Sequence, residues 1–254
     1  MVSFVWDSAS AGAFDLMWDT FSSGNRSPIA LNFAFDTDDI VLTDFDTSAT
    51  YFDIDNDGLK ERVSWLSGTD QAFLVRDMNL NGLIDNQLEL FGDSGLTDTI
   101  RGNEYLDGFS KLATLDSDGN GAVDVLDDNW NKLQLWFDVD QDGITDDGEL
   151  QSLESRGIEG FDVANANHLS GLNHADADQK ISEIGDDGWV IAEGTVRLTG
   201  DDTMTAQDVV FRTDSADTQN DGEVVPSANT LVAAEADGAD EAVPAADTVV
   251  AAAG

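Results

Sequence analysis

Short runs in which apolar residues alternate with small or polar ones recur along the chain. In the first run, at 29–35, apolar side chains occupy every second position. Similar alternation returns at 63–75 and at 189–211, where a polar turn at Gly200 separates two of the runs. Because successive side chains of a strand point to opposite faces, this period predicts half-buried antiparallel β-strands.

A second kind of pattern, in the middle of the chain, predicts helices. Apolar residues recur at helical spacing over 102–114, which is typical of an amphipathic helix. A further helix is expected around Trp130 and Leu133, and an exit helix over 150–157 that stops at Gly157. The combined patterns predict an α+β fold, with a helix pair joined to small antiparallel β elements.

The stretch DVDQDGITDDGE at 138–149, named loop D, matches the EF-hand calcium pattern at every diagnostic position. Calcium takes about six to eight oxygen ligands, and alternate residues of such a tight loop point their oxygens inward. Gly143 stands at the sixth position, where the chain must turn sharply. The predicted ligands, the seventh position acting through its backbone carbonyl, are Asp138, Asp140, Asp142, Ile144, Asp146 and Glu149.

The stretch DSDGNGAVDVLD at 116–127, named loop C, repeats the pattern with a shorter final acid. Its predicted ligands are Asp116, Asp118, Asn120, Ala122, Asp124 and Asp127. Loops C and D are separated by little more than one short helix, so we expect them to form an EF-hand pair over 104–157. In such a pair Val123 and Thr145 would meet in a short two-stranded bridge.

Two earlier loops carry incomplete versions of the same pattern. Loop A, at 53–61, has the first half of the motif and strand-like flanks, but it lacks the closing acid at the twelfth position. Its predicted ligands are Asp53, Asp55, Asp57, Leu59 and Glu61. Loop B, at 77–89, contains two neutral amides and a late glutamate, which predicts weaker binding. Its predicted ligands are Asp77, Asn79, Asn81, Leu83, Asp85 and Glu89.

The charge of the chain strengthens the interpretation of these loops as cation sites. Acidic side chains number 52 and basic ones 11, which gives a formal net charge of -41 at pH 7. Such a charge repels nucleic acids and anionic membrane surfaces, so neither is an expected partner. It also opposes compaction, so bound Ca²⁺ should favour the folded state. The chain has no cysteine, which excludes disulfides and thiolate metal sites.

The two ends of the chain differ from its middle. Residues 1–27 contain aspartates among the apolar positions and are expected to form a loosely packed arm, not a Sec signal peptide. Residues 214–254 are acidic and rich in alanine, which predicts a disordered tail. No apolar run is long enough for a membrane span, and no membrane insertion is expected. His168 and His174 are interpreted as surface residues, since no third metal ligand stands at a regular spacing.

These pieces, in this order, resemble the calcium-binding module of large RTX-type bacterial proteins, whose best-known version is self-processing. The matching pieces begin with PIALNF at 28–33, continue through loops A to D, and end with EGTVRL and DVVF before 212. The resemblance implies one module over 28–213, Ca²⁺ as its ligand, and an extracellular location reached by type I secretion. The tail at 214–254 would then be either an uncleaved secretion signal or a plain linker.

The dipeptide at the start of the module departs from the self-processing pattern. That activity requires an Asp-Pro bond, whose aspartate attacks its own peptide carbonyl, whereas this chain has Ser27 before Pro28. A serine hydroxyl cannot form the cyclic anhydride that this chemistry requires. We therefore expect a non-enzymatic module that folds when it binds calcium. The alternatives are a self-processing module with a degenerate cleavage site and a calcium sensor that binds a protein partner.

Overall fold

The structure is a computed structural model that describes residues 27–34, 37–56, 58–92, 107–168 and 180–214. The predictions for most of the N-terminal arm, for the tail after Asp214, for Asp57 and for His174 concern residues outside these ranges. Within the described part, the chain contains no helix with the length and apolar character needed to span a bilayer.

An antiparallel sheet of ten strands dominates the described residues and curls into a half-barrel. In chain order the strands β1 to β12 are Ile29–Asn32, Tyr51–Phe52, Glu61–Arg62, Gln71–Val75, Ala122–Asp124, Gln134–Trp136, Leu150–Ser152, Ile158–Asp162, Asn167–His168, Ser182–Ile184, Gly188–Leu198 and Thr203–Phe211. The main order across the sheet is β5-β8-β11-β12-β1-β4-β6-β7, and β9 and β10 also pair with β11. Strands β2 and β3 form a separate two-stranded hairpin that encloses loop A.

The strand predictions are largely confirmed, but the central strands are not half-buried. All four residues of β1 are buried, because it lies between β12 and β4 and has a core cluster on each face. Ile29 and Leu31 belong to the first core cluster, with Leu74 and Phe161. Ala30 between them belongs to the second core cluster. Both the apolar and the small positions of the alternation are therefore core positions.

The α+β prediction with a helix pair is wrong. Among the described residues the α-helix is α1, Gly108–Leu112, which is capped by the Asp107 side chain through a hydrogen bond from the Ser110 amide. It confirms part of the helix expected over 102–114. The other helical segments are short 3-10 turns, at Gln87–Glu89, Ala113–Leu115, Trp130–Lys132 and Leu153–Arg156.

Strands replace the helices that were expected on both sides of loop D. The segment before the loop is β6, which pairs with β4 through Phe73 and Trp136, and the segment after it is β7, which pairs with β6. The apolar spacing there is compatible with a helix, but pairing with an already buried strand satisfies the backbone and buries the aromatic side chains. Gly157 does end the segment, in the left-handed conformation, as predicted.

Candidate metal centre

Loop D connects two paired strands, and this pairing brings its two ends together. The amide of Phe137, directly after β6, donates to the carbonyl of Glu149, directly before β7, at 3.0 Å. The first and last predicted ligands are therefore fixed side by side at the base of a hairpin. Asp138 and Glu149 are both buried, at 5% and 7% exposure, although each is a carboxylate.

Asp138 organises the first half of loop D through backbone amides. Its Oδ1 accepts from the amides of Gln141 and Asp142 at 2.8 and 3.2 Å, and its Oδ2 accepts from the Gly143 amide at 2.8 Å. Gly143 has φ of 74°, and a Cβ there would stand 2.6 Å from the Tyr51 carbonyl oxygen. Only glycine fits this position, because both the backbone conformation and the close contact exclude a side chain.

Glu149 closes the second half of loop D with both carboxylate oxygens. Its Oε1 accepts from the Val139 amide and its Oε2 from the Asp146 amide, each at 2.9 Å. Carboxylate oxygens of the loop fall into two groups whose members all lie within 4.8 Å of one another. The groups are Asp138, Asp140 and Glu149, and Asp140, Asp142 and Asp146. The structure thus brings together every carboxylate predicted for this loop. The backbone of Ile144, the predicted seventh-position ligand, donates its amide to Asp142 at 2.8 Å.

In loop D, the ionised form of the carboxylates costs free energy unless a cation balances their charge. Burial raises the pKa of Asp138 to about 6, although hydrogen bonds from Gly143 and Trp65 oppose the shift, and the nearby charges of Glu149 and Asp142 add to it. Burial and neighbouring carboxylates also raise the pKa of Asp142. Buried like charges of this kind favour either protonation or a bound cation.

Loop C has the same internal hydrogen bonds and one fewer available acid. Asp116 accepts from the Gly121 amide at 2.9 Å, as Asp138 does from Gly143. The carboxylates of Asp116, Asp118 and Asp127 form one group within 4.8 Å. Burial pushes the pKa of Asp127 upward, but amide hydrogen bonds from Asp124 and Ser117 outweigh burial and leave this pKa below its usual value.

Asp124 of loop C, a predicted ligand, is instead held by a cation of the protein. Its Oδ2 accepts from the Arg197 guanidinium of β11 at 2.7 Å, and its Oδ1 accepts from the Leu126 amide at 2.9 Å. The Asn120 side-chain oxygen accepts from the Ala122 amide. The negative charge of Asp124, the ninth position of this loop, is therefore already balanced by Arg197.

Loops A and B also fold around their acids. In loop A, Asp53, Asp55 and Glu61 form one carboxylate group within 4.8 Å, and Glu61 accepts from the Ile54 amide at 3.0 Å. The Leu59 backbone, its predicted seventh-position ligand, lies two residues before the start of β3. Asp57 lies outside the described residues.

In loop B the late glutamate does close the loop. Glu89 accepts from the amides of Met78 and Asp85 at 2.9 and 2.8 Å, and burial raises its pKa while these amides oppose the shift. Asp77 accepts from the Gly82 amide at 2.8 Å. The side-chain amides of Asn79 and Asn81 both donate to Oδ2 of Asp85. The side chain of Leu83 is exposed.

The pairing predicted between loops C and D is wrong. Val123 pairs with Phe161 of β8, at the far end of the sheet from loop D. Thr145 of loop D instead accepts a hydrogen bond at its Oγ1 from the Ile84 amide of loop B, at 2.9 Å. Loop A lies beside loop B, because the Asp53 carbonyl accepts from the Gln87 amide at 3.0 Å. Thr50, just before β2, also donates its hydroxyl to the Gln141 carbonyl of loop D at 2.6 Å. Loops A, B and D therefore lie together, and loop C lies apart.

Sequence reasoning missed the residues outside the loops that hold these acids in place. Besides Thr50 and Arg197, they include two buried tryptophans, Trp65 and Trp136, whose indole N–H groups reach loop D. Burial lowers the pKa of Lys60 against the opposing effect of carboxylates from loops A, B and D around it. Trp65 and Arg197 could not be identified from spacing, because each is distant in sequence from the acid that it contacts. Trp136 is only two residues before loop D, but the calcium-loop pattern does not include its position.

The fold and the acidic loops define a β-rich module with several oxygen-lined groups that could hold metal ions. The family model of the SPM domain matches residues 31–212, which is most of the chain, and the chain belongs to this family. The chain is also similar to the iron-regulated protein FrpA of Neisseria meningitidis serogroup C, with 34% identity over 161 residues. That alignment covers 63% of this chain but 14% of FrpA, so the chain spans a small part of this curated relative.

Proposed function

We propose that this chain is a calcium-binding module whose fold is stabilised by the ions it binds. Loop D carries the proposal, because its acids are already gathered: Asp138, Asp140 and Glu149 present oxygens within 4.8 Å of one another. The donor set shown by the structure consists of carboxylates. Hard oxygen donors in a flexible loop are typical of Ca²⁺ sites, whereas soft metals prefer sulfur or imidazole.

The proposed consequence of binding is folding. A net charge of -41 opposes the compact state, and each Ca²⁺ ion neutralises two charges among the clustered acids. A site whose ambient calcium is about a hundredfold above its Kd stabilises the folded state by about 2.7 kcal/mol. Three such sites together would contribute about 8 kcal/mol, comparable with the whole stability of an ordinary domain. The module would then fold where calcium is abundant and stay unfolded where it is scarce.

The proposed setting is a secreted, RTX-type bacterial protein. The resemblance of the calcium loops to RTX-associated modules, the SPM family membership and the similarity to FrpA support this setting. A chain that folds only in external calcium is suited to export in the unfolded state through type I secretion. We propose that it has no enzymatic activity, because Ser27 precedes Pro28, and a serine cannot perform the aspartate-dependent cleavage.

A calcium titration of the full chain by calorimetry, with circular dichroism in chelator and in calcium, tests the proposal. We expect bound ions and a gain of ordered structure on calcium addition. Glu149→Gln should remove the binding of loop D, whereas the matched change Glu159→Gln, at an exposed position of β8, should leave it intact. An identical spectrum in chelator and calcium, with no heat of binding, would refute the proposal. A discrete fragment on a gel after calcium incubation would refute the absence of self-processing.

A further inference from the structure

Two tryptophans of the second core cluster donate hydrogen bonds to the two ends of loop D. The indole Nε1 of Trp65 lies 2.6 Å from Oδ2 of Asp138. The indole Nε1 of Trp136 lies 3.2 Å from Oε2 of Glu149. Both tryptophans are fully buried. The carboxylates at the first and twelfth positions of the loop thus each accept a hydrogen bond from a core side chain that is not part of the calcium-loop pattern.

The two indoles belong to one closely packed aromatic group. Their ring centroids are 5.7 Å apart in an edge-on arrangement, and Phe52 lies within 5.2 and 5.8 Å of the two rings. Phe73 contacts both indoles, at 4.7 and 5.7 Å, and Phe211 of β12 contacts Trp65 at 5.8 Å. This aromatic group, defined by Trp65, Trp136, Phe52, Phe73 and Phe211, spans β4, β6, β12 and the hairpin of loop A. A movement of either indole is therefore resisted by packing from several strands.

The chemistry of an indole suits it to this position. An indole N–H is a donor only, so it can orient a carboxylate oxygen without competing for the cation. A buried indole N–H also needs an acceptor, and a carboxylate provides a charge-assisted hydrogen bond. Partners that orient metal ligands from behind commonly change metal affinity when they are removed.

We propose that Trp65 and Trp136 are positioning residues for loop D, which hold Asp138 and Glu149 in the orientation that binds calcium and link ion binding to the aromatic group of the core. The proposal rests on the proposed function, because it requires that loop D binds calcium. It goes further by assigning residues outside the loop a part in calcium affinity. It also implies that calcium binding at loop D changes the environment of the aromatic group in the core.

Nuclear magnetic resonance of the full chain tests the proposal, with the Gly143 amide signal as the reporter of loop D. Trp65→Phe and Trp136→Phe keep a large aromatic ring but remove the N–H donor. We expect each to weaken calcium binding at loop D by about 10- to 100-fold. Trp130→Phe is the matched control, because Trp130 is buried in the first core cluster against Phe161, and it should leave the affinity of loop D unchanged.

The indole N–H signals of the wild-type chain provide a second readout that needs no variant to fold. In an osmolyte such as trimethylamine N-oxide, which keeps the calcium-free chain folded, calcium addition should shift the signals of Trp65 and Trp136 together with the Gly143 amide. The exchange of both indole N–H groups with solvent should slow. The proposal is overturned if Gly143 responds to calcium while both indole signals stay in place, or if folded variants of these two tryptophans bind as the Trp130 control does. If the Gly143 amide of the wild-type chain does not respond to calcium at all, then loop D does not bind calcium. That result would instead refute the proposed function.

Discussion

Acidification should weaken calcium binding at loop D much earlier than it would at an ordinary acidic loop. A proton and a calcium ion compete for Asp138, whose pKa is raised to about 6 by burial. With that pKa, the apparent Kd of loop D rises about tenfold between pH 7 and pH 5. A carboxylate at its usual pKa of 3.8 would change the Kd by only about 6% over the same range.

Calcium titrations at pH 7, 6 and 5, followed by the Gly143 amide signal, measure this effect at loop D alone. The Gly121 amide, which makes the equivalent hydrogen bond in loop C, is the internal control. The lowered pKa of Asp127 predicts that loop C keeps its affinity over this range. Near pH 6, calcium binding to loop D should also release about half a proton, which calorimetry in two buffers detects. An affinity of loop D that stays constant from pH 7 to pH 5 would refute the reasoning.

Four further outcomes are expected. In chelator, with trimethylamine N-oxide to keep the chain folded, the free energy of unfolding should fall by about 2 kcal/mol as the pH rises from 4 to 7, because the folded pKa of Asp138 exceeds its unfolded value. Denaturation of wild type against Asp138→Asn isolates this change, and a pH-independent difference would contradict it. Gly143→Ala should lower the free energy of unfolding by about 1 to 3 kcal/mol more than Gly148→Ala, which adds a side chain at positive φ in open space; equal losses in chemical denaturation would contradict it. Thr145→Val should weaken the coupling between loops B and D, since the Ile84 amide loses its acceptor; calorimetry that shows unchanged cooperativity would contradict it. Arg197→Met should tighten calcium binding at loop C by freeing Asp124, and a weaker or equal affinity of loop C would contradict it.

The clustering of acids in the loops and many of the strands could be predicted from the sequence because their signals are local. In loop D, every predicted carboxylate lies in one of the two carboxylate groups, and Gly143 adopts the expected positive φ. The alternation around Gly200 corresponds to the hairpin of β11 and β12. These features depend on residues close together in the chain, where ligand spacing and turn geometry act directly.

The parts that could not be predicted depend on contacts between distant segments. The flanks of loop D have apolar spacing that fits a helix, yet β6 forms a strand because it pairs with β4 through Phe73 and Trp136. For the same reason loop D contacts loop B through Thr145, not loop C. A sequence pattern cannot rank these pairings, because it shows which positions are apolar but not which strands become neighbours.

The most direct test of the central claim is a crystal structure of the full chain grown in calcium. The account predicts an ion in loop D with oxygens of Asp138, Asp140, Asp142 and Glu149 at about 2.3 to 2.6 Å. A structure in which these same carboxylates are surrounded only by water, at a calcium concentration that saturates the protein in solution, would contradict it.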